Sequence, residues 1–242
     1  DLLGQQRPEQ GRVVLFFQQA EEAGNGARDA CNDPAFAYIQ PDYVFALHNL
    51  PGYQEGEVIC KPGIFSSAVV TMVVQLYGKE AHSAQPETGI NPATAIAQIV
   101  QKAGELTAHY REQLGLGMIV PVHIRMGEPE QGVSAGYGEL HFTLRALRND
   151  DMARVWNAFD DAVCSISSAH GLECHFDWYE SFAATYNSEE AASMVQKAAR
   201  KNNAAYRETD APFTWGEDFG VLTRYHEGAM FGLGSGEDSP DL

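Results

Sequence analysis

The chain has 242 residues, 44% of them hydrophobic, which suits one large or two modest domains around a substantial core. Sixteen Lys and Arg face 33 Asp and Glu, and the resulting formal charge of −17 repels phosphate backbones and anionic membrane surfaces. This argues against nucleic acid and membrane as partners and leaves small molecules and metals. The four cysteines, Cys31, Cys60, Cys164 and Cys174, have no C-x-x-C spacing in a chain too large to need disulfide staples, so reduced thiols and a cytoplasmic location are expected. Neither an apolar run of about 18 residues nor a charged-then-apolar leader is present, so no membrane span or signal peptide is expected. The chain begins at Asp1 and not at Met, so this need not be the native start.

Residues 1–62 open with the apolar run Val13-Val14-Leu15-Phe16-Phe17, read as a strand that leads to Glu21-Glu22 and the turn Ala23-Gly24-Asn25-Gly26. Successive side chains leaving a strand point in opposite directions, so one carboxylate can turn to a metal while its neighbour faces water or substrate. A second run, Tyr43-Val44-Phe45-Ala46-Leu47, ends at His48. Continuous apolar runs fit strands covered on both faces, as in a parallel or mixed α/β sheet, where ligands bind beyond the carboxyl ends of the strands.

From 63 to 181 the pattern changes to alternation. Val70, Met72, Val74 and Leu76 line one face of a strand, as do Met118, Val120, Val122, Ile124 and Met126 in a second. Leu140, Phe142 and Leu144 form a third set, and Leu172, Cys174, Phe176 and Trp178 a fourth, so each strand has one buried face. Asn91-Pro92 opens a helix with Ile96, Ile99, Val100, Ala103 and Leu106 inward. Asn149-Asp150-Asp151 opens another, with Met152, Val155, Trp156, Phe159, Val163 and Ile166 inward. The order βαββαβ predicts a ferredoxin-like unit, two helices on one face of a four-stranded antiparallel sheet. Pro121 falls in the second strand, an edge strand in that topology. The outward face, with His123, Arg125, His141, Arg145 and His175, faces either solvent or a ligand.

Residues 182–242 return to α/β texture. Asn187, three residues before Glu190, predicts a capped helix to about Asn202; 215–219 form a turn, and 229–234 a last strand. The fold class is therefore α/β, with a discontinuous domain (1–62 and 182–242) interrupted by the ferredoxin-like α+β domain of 63–181.

Five segments then carry a resemblance. They are residues 14–22, Ala46-Leu47-His48-Asn49-Leu50-Pro51-Gly52, Gly78-Lys79-Glu80-Ala81-His82-Ser83-Ala84-Gln85-Pro86, Gly89-Ile90-Asn91-Pro92 and Gly216-Glu217-Asp218-Phe219. Their content and order resemble the aminoacylase and carboxypeptidase superfamily of metallohydrolases, peptidase family M20, in the branch that cleaves N-acyl amino acids, such as hippurate and auxin-conjugate hydrolases. The resemblance implies a catalytic α/β domain interrupted by a ferredoxin-like lid or dimerisation domain, a homodimer, and one or two divalent ions, zinc or manganese. It implies that Glu21 is the general base, that Glu22 and His48 are metal ligands, and that His82 is an oxyanion stabiliser supplied on domain closure or across a dimer. Asn91 is either a substrate contact or a plain helix cap. Arg145 is either a bidentate grip on a substrate carboxylate or a solvated strand arginine.

The sequence departs from that family at Gln19, where Pro is usual, and at Gly132-Val133-Ser134-Ala135. The family's upstream metal-binding segment has no counterpart, nor does the histidine expected just after Pro240-Asp241-Leu242. Two ligands do not make a stable catalytic metal site, so the expectation is a piece of a metallohydrolase with further ligands elsewhere. Two alternatives remain: a dipeptidase or carboxypeptidase of the same superfamily, and a metal-free relative that dimerises and binds carboxylates.

Overall fold

In a computed structural model, residue 5, residues 8–129 and residues 131–238 are described, with the backbone alone at Glu180. The outer limits of the expected first domain, at 1 and 242, lie outside the described residues. The elements in chain order are α1 (Gly26–Asn32), β1 (Tyr43–Leu50), β2 (Val58–Cys60), β3 (Gly63–Ser66), β4 (Ala68–Tyr77) and β5 (Ala81–His82). Then follow α2 (Ala93–Leu114), β6 (Gly117–Met126), β7 (Val133–Ser134), β8 (Tyr137–Ala146), α3 (Asn149–Ala169) and β9 (Glu173–Phe182). The last are β10 (Thr185–Asn187), α4 (Glu189–Lys201), β11 (Tyr206–Glu208), α5 (Gly220–Thr223) and β12 (Glu227–Gly234).

Alternation in the middle of the chain is realised as an antiparallel sheet in the order β6-β8-β4-β9. In β8, Leu140, Phe142 and Leu144 are buried, while Tyr137, Glu139, His141, Thr143 and Arg145 face the other side. The buried face meets Ile96, Ile99 and Ala103 of α2 and Val155, Phe159 and Val163 of α3 in one core. Phe142 and Phe159 meet edge to face there, with ring centroids 4.8 Å apart. Asn91 starts α2 by accepting the Ala93 N–H on Oδ1 at 2.8 Å, with Pro92 between them, and Gly115 ends it at φ +75°.

The edge strand β6 differs from the expected pattern. Its register slips between Pro121 and His123, and this bulge changes which side chains face the helices. Ile119 packs in the core, whereas Met118 and Val120 lie opposite Arg145 and Thr143 of the open face. Val120, Val122, Ile124 and Met126 are all exposed, so the even-numbered apolar residues do not form one buried face. Pro121 has no N–H to give to the ladder, and the edge position tolerates its loss.

The second sheet has the order β1-β12-β2-β11 and is mixed: β1 runs parallel to β12, β12 antiparallel to β2, and β2 parallel to β11. Its α4 side is packed by Val58, Cys60, Ala191, Val195 and Ala229. Ala27, Phe65, Phe219, Leu222 and Met230 form a core on α1 and α5. A short ribbon, β3 with β10, runs beside the entry to β4 and the exit from β9.

Three expectations in this part are corrected. Residues 13–17 form no strand, and their side chains are exposed, Phe17 at 90%. A strand must satisfy its backbone groups in a ladder, and no strand among the described residues pairs with this run. For the same reason β1 is an edge strand and not one covered on both faces: Phe45 and Leu47 are exposed. The cap of α4 is Ser188, whose Oγ accepts the Ala191 N–H at 3.2 Å. Asn187 is instead fully buried in β10, taking the Met230 N–H on Oδ1 at 2.8 Å and donating through Nδ2 to the carbonyls of Lys61 at 2.9 Å and Met230 at 2.8 Å.

Candidate functional site

Glu21 and Glu22 sit in a turn, where the Glu21 carbonyl accepts the Gly24 N–H at 2.8 Å. The turn folds back so tightly that a Cβ on Gly26 would lie 1.8 Å from the Gln19 carbonyl oxygen, so no other residue fits there. Asp218, just before α5 and 2% exposed, fastens the segment by accepting Gln18 Nε2 at 2.6 Å and the Ala27 N–H at 2.8 Å. Glu22 is exposed and Glu21 half-buried, so the adjacent carboxylates do face different surroundings.

The Glu21 carboxyl faces that of Glu217, and this neighbour favours the protonated form of Glu21. Burial first, then the bond to and charge of Glu217, then the charges of Asp218 and Glu22, push the Glu21 carboxyl from 4.5 to about 7. Glu217 also meets His48, whose Nε2 lies 3.0 Å from Oε1. The other ring nitrogen, Nδ1, lies 2.6 Å from the Asn49 carbonyl oxygen, and a proton there donates to it. The bond to Glu217 raises the His48 pKa above its ordinary value, against the lowering effect of burial. Trp215 stacks on the imidazole at a centroid distance of 4.7 Å and holds its plane.

Arg145 approaches from the open face of the other sheet. Its Nη1 donates to the Thr214 carbonyl at 2.8 Å, on the loop that carries Trp215 and Glu217, and burial lowers its pKa. Glu21, Glu22, His48, Arg145, Glu217 and Asp218 thus line one cleft of about 1610 Å³. His82 and Asn91 do not line it. His82 is in the β5–β7 ribbon, exposed, with Nδ1 accepting the Ala84 N–H at 3.1 Å. Asn91 joins that ribbon through Nδ2, which donates to Ser134 Oγ at 2.9 Å while its Oδ1 starts α2. The helix-start reading accounts for the bond on Oδ1, and the bond from Nδ2 ties the start of α2 to the ribbon.

Sequence reasoning assigned no role to Glu217 or Asp218. The signal lies in Trp215-Gly216-Glu217-Asp218-Phe219, two acids between aromatic residues, which reads as a turn and as one of the five segments of the resemblance, with neither acid given a role.

A divalent ion would need at least three well-placed donors. Among the described residues no group of three or more His, Cys, Asp or Glu side chains is placed to hold one, and Glu217 occupies the His48 nitrogen that faces the cleft. The residues present therefore do not fit a catalytic metal by themselves.

The family model for peptidase family M20/M25/M40 matches residues 2–241. The chain belongs to this family. An M20 relative, the N-acetyldiaminopimelate deacetylase of Exiguobacterium sibiricum, is 28% identical over 222 residues, 92% of this chain and 59% of that protein. The chain spans about 60% of the length of the first curated relatives it matches. Among solved structures, the aminobenzoyl-glutamate utilization protein of Klebsiella pneumoniae aligns with a TM-score of 0.73 at 23% identity, over 90% of this chain and 56% of that one. A dinuclear metal binding M20 peptidase of Bacillus subtilis aligns with a TM-score of 0.70 at 19% identity, over 90% and 54%. These likenesses bear out the mixed α/β M20 fold. No helix among the described residues is long and apolar enough to cross a membrane.

Proposed function

We propose that this chain is the part of an M20 amidohydrolase that carries the proton-transfer group and one wall of the substrate cleft, acting on the amide bond of N-acyl amino acids. N-acetyldiaminopimelate, the substrate named for the Exiguobacterium relative, is one member of that class. The observation that carries the reading is the cleft that brings Glu21, Glu22, His48 and Glu217 together with Arg145, with the Glu21 carboxyl pushed up to about 7 there. A carboxyl poised near neutral pH takes a proton from attacking water and returns it to the leaving amine, the task of a general base that later serves as acid. Glu217 lies between Glu21 and His48, its Oε1 3.0 Å from His48 Nε2. Arg145, on the far wall, suits the carboxylate of an acyl amino acid.

Glu22 and His48 are proposed as donors to a divalent ion, zinc or manganese, completed by groups beyond the described residues. Residues 63–181 are proposed as the lid or dimerisation domain, and His82 as a group delivered to the cleft by closure or by a second copy. The test is amine release from N-acetyl and N-benzoyl amino acids and from dipeptides, by the protein with zinc or manganese added, beside Glu21→Gln. Release from acyl amino acids that falls at least about 100-fold in the variant, with metal retained, supports the reading. Full activity in the variant would overturn the base assignment, and preference for dipeptides would favour a peptidase.

A second reading, a metal-free carboxylate-binding relative, draws on the lack of a three-donor group among the described residues. Binding of N-acyl amino acids with neither metal uptake nor turnover would favour it.

A further inference from the structure

Cys164 and Cys174 lie away from the cleft, on α3 and β9, at the two sides of the turn through Gly171, which adopts φ +68°. Their sulfur atoms are 3.8 Å apart. The approach follows from the packing of the helix on the strand. Trp156 of α3 stacks on Trp178 of β9, centroids 3.3 Å apart and planes 22° apart, which fixes the register of the two elements. From that contact, eight residues of helix advance about 12 Å. Four residues of strand in the return direction cover about 13 Å. The chain is therefore brought back with one sulfur against the other. His170 Nε2 lies 3.0 Å from Gln98 Oε1, which ties the turn to α2. Cys164 is exposed and Cys174 half-buried, so an oxidant can reach the pair from solvent.

We propose that Cys164 and Cys174 are a modification site, a thiol pair that a small-molecule disulfide converts to a reversible intrachain disulfide, locking the edge strand β9 to α3. The Cys164 thiolate attacks one sulfur of, for example, glutathione disulfide and releases one glutathione thiolate. The Cys174 thiolate then attacks Cys164 Sγ and releases the second. The two thiol protons end on two glutathione molecules, one S–S bond is broken and one formed, and the two protein sulfurs are oxidised as the glutathione is reduced. The sulfurs must close to about 2.05 Å, a movement that side-chain rotation at an exposed helix position can supply. Burial, the neighbouring Cys174 and the charges of Asp160 and Asp161 push the Cys164 thiol up to about 11, so linkage is slow at neutral pH and quickens as pH rises. The other two thiols have no such partner: Cys60 is fully buried against the Met230 carbonyl, and Cys31 sits near Asp218.

The protein is incubated with graded ratios of glutathione disulfide to glutathione at pH 8, quenched in acid, alkylated, digested without reductant and read by mass spectrometry. The expected product is one peptide pair linked through 164 and 174, minus two hydrogens and reversed by reductant, with Cys31 and Cys60 still alkylated. The linked protein melts several degrees above the reduced one, as closure of a short loop requires, and Cys164→Ser shows no shift with oxidant. In the double variant Cys164→Ser, Ser165→Cys the thiol turns about 100° around the helix, and linkage is lost. Glutathione left on Cys164 without the linked pair, linkage only between copies, or equal linkage in the double variant would each overturn the proposal.

Discussion

The helix-backed sheet β6-β8-β4-β9 and the rim of the other sheet at residues 13–22 and β1 are both rich in apolar residues, yet the central strands of the first bury theirs while residues 13–17 of the rim stay exposed. In the sheet, Leu140, Phe142 and Leu144 are fully buried and every central strand has a partner on each side. At the rim, a run just as apolar stays exposed and irregular, held by Asp218 and the Gly26 turn. Hydrophobic content thus supplies the drive for burial, but a strand forms only where a ladder exists to take its N–H and C=O groups. The candidate chemistry lies at the rim, on the side that polar tethers shape.

The strongest test of this contrast is Phe142→Ala, which leaves a cavity against Phe159 and is expected to destabilise the protein by about 3–5 kcal/mol in denaturant unfolding. A loss below 1 kcal/mol would mean that the core relaxes as freely as the rim. Next in size, Asp218→Ala removes the acceptor for Gln18 and Ala27 and is expected to cost about 1–3 kcal/mol. Limited proteolysis should then open near residues 18–27 before it touches the helix-backed sheet.

A smaller effect is electrostatic. Because the folded state raises Glu21 from 4.5 to about 7, it binds that proton more tightly than the unfolded chain does. Its contribution is therefore present below about pH 4.5 and is lost as pH rises through about 7. Glu21→Gln should raise the melting temperature at pH 8 by a few degrees and leave it unchanged at pH 4; an equal shift at both would disprove the charge argument. The least effect belongs to Phe17→Asp: with the ring 90% exposed, stability should change by less than about 0.5 kcal/mol. A loss above 1 kcal/mol would place residues 13–17 in a buried strand after all.

The βαββαβ order, its helix faces and the edge position of Pro121 were legible because alternation and helical spacing record burial directly. The bulge after Pro121 was not: one extra residue reverses the facing of those that follow, and composition carries no mark of it. Strand 13–17 failed because its signal was apolarity alone, which does not reveal whether a pairing partner exists. At the cleft, Glu21, Glu22, His48 and Arg145 were legible as candidates that the fold brings together, whereas the Glu217 bridge depends on a loop nearly 200 residues downstream. His82 lies in a different ribbon, to which Asn91 is bonded through Ser134, and sequence order gives no measure of that distance.

The single bond from Arg145 to the Thr214 carbonyl acts as a strut between the two sheets, because it ties β8 to the loop that carries Glu217. A guanidinium has five N–H groups, and this strut employs one of them. Arg145 is thus braced with donors to spare, and the loop it braces, which Ser67 Oγ also holds through the Thr214 carbonyl at 2.6 Å, is the one that carries Glu217 to His48.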